Sequence, residues 1–74
     1  MTRAEQAQDA IRAQAVRDGV AVERVYETTS SLSGAAPNIV TTWRARIDVK
    51  GSELPVWYEC KETLGTLSIP EQKS

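Results

Sequence analysis

The residues able to do chemistry are few, and their types argue against catalysis. The chain has no His and a single Cys. A Ser or Cys nucleophile therefore lacks its commonest general base. Cys60 sits at an apolar position of an alternating run, where a free cysteine behaves as a small buried hydrophobe. Lys61, the neighbour that could activate it, must point to the opposite face of a strand. Glu59 and Glu62 have no apolar pocket in view and are expected to be ordinary solvated carboxylates. Gly51 and Gly65 stand apart, so no glycine-rich loop is set to cradle a phosphate. A single Cys leaves no internal disulfide, and without His or a second Cys a zinc site lacks its usual ligands. The expectation is a protein that is not an enzyme and uses no metal or cofactor.

Binding chemistry is better represented. Trp57 and Tyr58 are adjacent, so in a strand they face opposite ways. If Tyr58 packs inward, Trp57 lies outside beside Arg46, with Arg44, Glu59 and Lys61 around it. Val25, with Glu23 and Glu27, is expected on the same face from a neighbouring strand. Trp and Arg are the residues over-represented in binding hot spots. Arg46 stacked on Trp57 would gain about 0.5–1 kcal/mol, and Arg44 beside Glu59 a few tenths, roughly. The same pairings can also leave the face merely self-satisfied.

These residues are positioned by a β-hairpin of two runs, 39–50 and 54–63, folded at Gly51-Ser52. In that register Ile47 faces Val56, Ala45 faces Tyr58 and Trp43 faces Cys60. Arg46 then faces Trp57, Arg44 faces Glu59 and Thr42 faces Lys61. The pairing continues with Val49 facing Leu54 and Lys50 facing Glu53 across a type II′ turn. One register separates an apolar from a charged face, and a slip by one residue would destroy that separation. Pro55 near the start of the second run marks 54–63 as an edge strand, which could extend a sheet in a partner.

The remaining elements follow from local signals. Residues 2–18 are predicted helical: Thr2 and Glu5 have capping-box spacing, Gly19 suits a C-cap, and Ala4, Ala7, Ile11 and Ala15 make one narrow apolar stripe. Residues 20–29 are predicted to be a strand, with Arg24 interrupting the alternation of Val20, Val22, Tyr26 and Thr28 and implying a bulge or a rim position. Residues 30–38 are predicted to be a long mobile loop. Leu67 and Ile69 either add a short strand or fold over the core, and 70–74 is expected to be a disordered tail. The predicted fold is therefore α+β, an N-terminal helix on a three-stranded antiparallel meander, α-β-β-β, forming one domain over 1–69.

Size and charge bound the rest. A core within 74 residues rarely contributes more than about 3–5 kcal/mol of net stability. There is no Phe, and Ala and Val dominate the apolar content. Self-association would bury area that the monomer lacks. Nine basic and ten acidic residues nearly cancel, which weakens the case for a phosphate-neutralising protein. No segment has membrane-spanning length, and the expected compartment is the cytoplasm. The order helix then three strands resembles the first part of double-stranded-RNA-binding domains, but the basic second helix with its Lys cluster is missing. The leading expectation is a small protein-interaction module, an adaptor, inhibitor or accessory subunit. It would bind through Arg44, Arg46, Trp57, Glu59, Lys61 and Val25, or through the edge strand. A nucleic-acid-binding module using Arg and Trp on the sheet face is the alternative.

Overall fold

A computed structural model describes residues 2–73, with the side chains of Tyr26 and Glu27 outside that description. The elements run α1 (Arg3–Arg17), β1 (Val22–Ser33), β2 (Val40–Val49), β3 (Val56–Thr63), β4 (Thr66–Leu67) and β5 (Glu71–Lys73). The class is α+β as expected, but the antiparallel sheet has five strands rather than three.

Helix α1 is bounded by side-chain and backbone caps. The Glu5 amide donates to the Thr2 hydroxyl at 3.2 Å, satisfying one of the orphan donors of the first turn. At the other end Gly19 takes φ +84°, and two bonds close a Schellman motif: Val20 N–H to Ala15 at 2.9 Å and Gly19 N–H to Val16 at 3.1 Å. Ala7, Ile11 and Ala15 are fully buried against the sheet. Tyr58, the largest fully buried side chain among the described residues, joins Ala7, Ile11 and Ala15 in one cluster. No helix among the described residues is long and apolar enough to cross a membrane.

Strand order is β1-β2-β3-β4, with β5 also pairing β3. The β2–β3 register matches the expected one from Val40 opposite Thr63 to Ile47 opposite Val56. The connection differs. The ladder stops at Ile47–Val56, so Val49–Leu54 and Lys50–Glu53 are not paired. Ser52 N–H donates to Val49 at 3.1 Å, which puts Lys50 and Gly51 at the turn centre. Gly51, at φ +78°, is thus the second central residue, the type II position, not the first of a type II′ turn. Residues 52–54 then loop out, and the Ser52 hydroxyl is bonded to both the amide and the carbonyl of Leu54.

Strand β1 departs most from expectation. It continues through residues 30–33, expected to be loop, and pairs as far as Ser33 opposite Val40. The turn beyond depends on Gly34: a Cβ there would lie 2.6 Å from the Asn38 carbonyl oxygen. Register shifts fall between Val22 and Arg24 and between Tyr26 and Thr29. The first is the irregularity that Arg24 announces. An extra residue flips the alternation, so Val25 lies opposite Ile47 and is 5% exposed. Its expected place on the outer face is therefore corrected: it belongs to the core.

The β3 edge is also corrected. A two-residue turn with Leu64 at φ 51° and Gly65 at φ 80° returns the chain so that Thr66 and Leu67 pair with Thr63 and Glu62. Pro70 is buried, and Glu71–Lys73 pairs with β3 from Glu59 to Trp57. Most of the segment expected to be a disordered tail is thus a strand, Ser74 lying outside the described residues. Strand β3 is interior, and Pro55 simply precedes it. On the other side, β1 is the edge.

Candidate protein-binding face

Alternation along β2 and β3 divides their side chains. Ala45, Ile47, Tyr58 and Cys60 join Ala7, Ile11, Ala15 and Val25 in one buried cluster, with Trp43, Val56 and Leu67 packed at its margin. The intervening residues Arg44, Arg46, Trp57, Glu59 and Lys61 face away from α1. Five of the six expected binding residues are therefore brought together, and Val25 is not.

Within this outer face the contacts differ in detail from expectation. Trp57 lies opposite Arg46 in the ladder, but it is Arg44, diagonally placed, whose guanidinium carbon sits 5.5 Å from the Trp57 ring centroid. The diagonal is long enough for Arg to reach across a strand pair and lie over an aromatic face. Arg44 Nε also approaches Glu59 Oε2 at 3.8 Å. Arg46 Nε turns along its own strand, to Asp48 Oδ1 at 3.9 Å. Arg44 remains 52% exposed and so is open to a partner, whereas Arg46 and Asp48 are half-buried.

Sequence reasoning missed two contributors. Strand β5 places Lys73 opposite Trp57 and Glu71 opposite Glu59, joined to each other by a 3.3 Å ion pair. Directly paired residues share a face, so both extend the outer surface. The only signal for β5 is the apolar pair Ile69-Pro70 in a polar tail, which composition does not distinguish from a loose end. Glu23 and Glu53 line a hollow with Arg46 and Asp48 at one end of the face. The Glu27 side chain lies outside the described residues.

The inner face holds the titratable groups with altered chemistry. The Tyr58 hydroxyl donates to Asp18 Oδ2 at 2.7 Å, tying β3 to the C-cap of α1. Burial first, then the bond to that carboxylate and its charge, push the phenol up to about 12. Burial also raises the Cys60 thiol, with Glu62 and Glu59 adding to the shift. A thiol so placed is poorly ionised at neutral pH and an inert packing group. Glu62 is not the solvated carboxylate expected: it is 7% exposed. Trp43 Nε1 donates to its Oε1 at 3.2 Å, and Arg3 Nε and Nη2 donate to Oε2 at 3.1 and 2.9 Å. Its place two residues after Cys60 puts it on the inner face, a parity the sequence already contains. Among the described residues no group of three or more Cys, Asp or Glu side chains could hold a metal ion. No protein-family model, curated protein or solved structure matches the chain.

Proposed function

We propose that the protein is a small, non-catalytic interaction module that binds a protein partner through the helix-free face of its sheet, with Arg44, Arg46, Trp57, Glu59 and Lys61 at the centre and Glu71 and Lys73 at the rim. The observation that carries this reading is Trp57 left on the uncovered face with Arg44 stacked on it at 5.5 Å. A large aromatic with an exposed guanidinium beside it offers contact area and directional donors, the combination that hot spots favour. The signs of the surrounding charges favour a protein. Arg44 and Arg46 each have a carboxylate within 4 Å, so a phosphate would have to displace Glu59 and Asp48, whereas a surface of mixed charge can match both signs.

Nucleic-acid binding is the second reading. By register Arg24 and Lys73 join Arg44, Arg46 and Lys61 on this face, and a Trp there could stack a base. One experiment separates the two. The host's own extract is passed over the immobilised wild type, an Arg44→Glu/Trp57→Ala double variant, and Leu54→Lys as a surface control. A protein retained by wild type and control and lost from the double variant supports the reading. Retention indifferent to Arg44 and Trp57 contradicts it. So does tight single-stranded or duplex nucleic-acid binding that falls steeply with salt.

A further inference from the structure

The two edges of the sheet are treated differently. The β3 edge is covered by the chain's own β4 and β5, while β1 ends the strand order and no strand among the described residues pairs with its far side. The half of β1 beneath α1 is nonetheless protected. It carries two register shifts, it bears Glu23 and Arg24, and Gln8 Nε2 caps the Val25 carbonyl at 2.9 Å. Bulges, charges and a covering helix are the usual devices that stop an edge from pairing. The other half has none of them. From Thr29 opposite Arg44 to Ser33 opposite Val40 the pairing is unbroken, and no charged residue occurs between positions 28 and 43. Residues 29–33 are exposed. In an antiparallel ladder alternate residues direct their N–H and C=O groups away from the paired strand, so this stretch presents an open row of donors and acceptors.

We propose that residues 29–33 of β1 pair antiparallel with the same residues of a second copy, around a two-fold axis at Ser31, to make one continuous sheet across two molecules. The sequence of this stretch is its own complement. Ser31 meets Ser31 of the copy, Thr29 meets Ser33, and Ser30 meets Leu32. Three of the five pairs set hydroxyl against hydroxyl, a favourable cross-strand pair, the other two set Ser30 against Leu32, and no like charges are brought together. Leu32, opposite Thr41, is 73% exposed. In the pair the two Leu32 side chains sit diagonally on either side of the axis above small Ser30 residues, within mutual reach. Sterics permit the approach. The molecule is 43 Å long, while α1, with 15 residues, spans roughly 22 Å. The side-chain bond that ties α1 to β1, Gln8 on the Val25 carbonyl, falls on the bulged half, and residues 29–33 are left exposed by the helix. The register also works whichever alternate set of backbone groups points outward, because both sets are symmetric about Ser31. The pairing uses the backbone edge of β1, whereas the Arg44–Trp57 cluster uses a sheet face; the two adjoin where Thr29 lies opposite Arg44, but Ser31 and Leu32, the residues varied below, lie beyond that row.

Sedimentation velocity from about 10 µM to about 1 mM tests the pairing, using the wild type, Ser31→Lys, Ser31→Glu and an equimolar mixture of the two variants. The wild type should dimerise with rising concentration. Each charged variant should be monomeric, because like charges meet directly at the axis, and the mixture should recover a dimer that native mass spectrometry identifies as one copy of each. Leu32→Thr should weaken the wild-type dimer several-fold with an unchanged far-UV circular dichroism spectrum, a readout that does not depend on the charged variants folding. A wild type that stays monomeric throughout overturns the proposal and leaves the edge to a foreign strand. Dimers that survive either charge, or a mixture of folded variants that recovers none, overturn it equally.

Discussion

On the face of the β2–β3 ladder that meets α1, Ala45, Ile47, Tyr58 and Cys60 are closed to solvent. On the other face Arg44, Arg46, Trp57 and Glu59, drawn from the same strands and often the next residue along, remain open or half-open. The helix face combines apolar burial with a few polar ties between elements, Tyr58 to Asp18 and Glu62 to Trp43 and Arg3. The open face holds its charges in pairs of 3.8 and 3.9 Å that water can screen. Burial makes a contact expensive to lose, whereas exposure leaves it nearly neutral for folding and free for recognition. If the open face binds as proposed, stability and binding can therefore change separately, although their residues alternate along one strand.

Substitutions can break or sharpen that contrast. The largest effect is expected for Ile47→Asp, which puts an uncompensated charge beneath α1; a loss above about 4 kcal/mol exceeds what so small a core can bear, and circular dichroism should show an unfolded chain. Arg3→Ala removes two donors from the buried Glu62 carboxylate. Because Arg3 is itself 68% exposed, solvent discounts the loss to about 1–2 kcal/mol by urea unfolding. Tyr58→Phe should cost about 1 kcal/mol through the lost bond to Asp18.

The same residue has a pH signature. The unfolded phenol ionises near its ordinary value of 10.0, the folded one at about 12. The folded state keeps its proton longer, so this contribution is whole below pH 10 and is lost as pH rises through 12. The urea midpoint of the wild type should fall over that interval more steeply than that of Tyr58→Phe, the comparison between the two proteins removing the similar trend from Cys60. The smallest effect is expected for Arg44→Ala, within about 0.5 kcal/mol of wild type. A loss there matching that of Ile47→Asp would mean the faces are reversed.

The β2–β3 register was legible because its pattern is over-determined: apolar residues and opposite charges both select the same pairing from Val40–Thr63 to Ile47–Val56. The helix was legible from Thr2, Gly19 and the Ala7–Ile11–Ala15 spacing. What escaped depends on contacts distant in sequence or on a weak pattern. The Ser-rich half of β1 has turn-forming residues and becomes a strand only because β2 lies alongside. Strand β5 is three polar residues held against β3 by a buried Pro70. Val25 moved from the outer face to the core because a bulge reverses parity, and Arg24 in the alternation fits a bulge and a rim position equally, so the sequence does not fix the parity beyond it. The stacking of Trp57 went to Arg44 instead of Arg46 because a diagonal reach depends on side-chain direction, which register alone does not specify.

The division between the faces is tested most directly by a crossed pair of variants, Val56→Ala from the core margin and Arg44→Glu from the open face, each measured for urea midpoint and for retention of the proposed partner protein. Val56→Ala should lower the midpoint, by about 1 kcal/mol in stability, and keep the partner; Arg44→Glu should keep the midpoint and lose the partner. A partner lost by Val56→Ala and kept by Arg44→Glu would contradict the account.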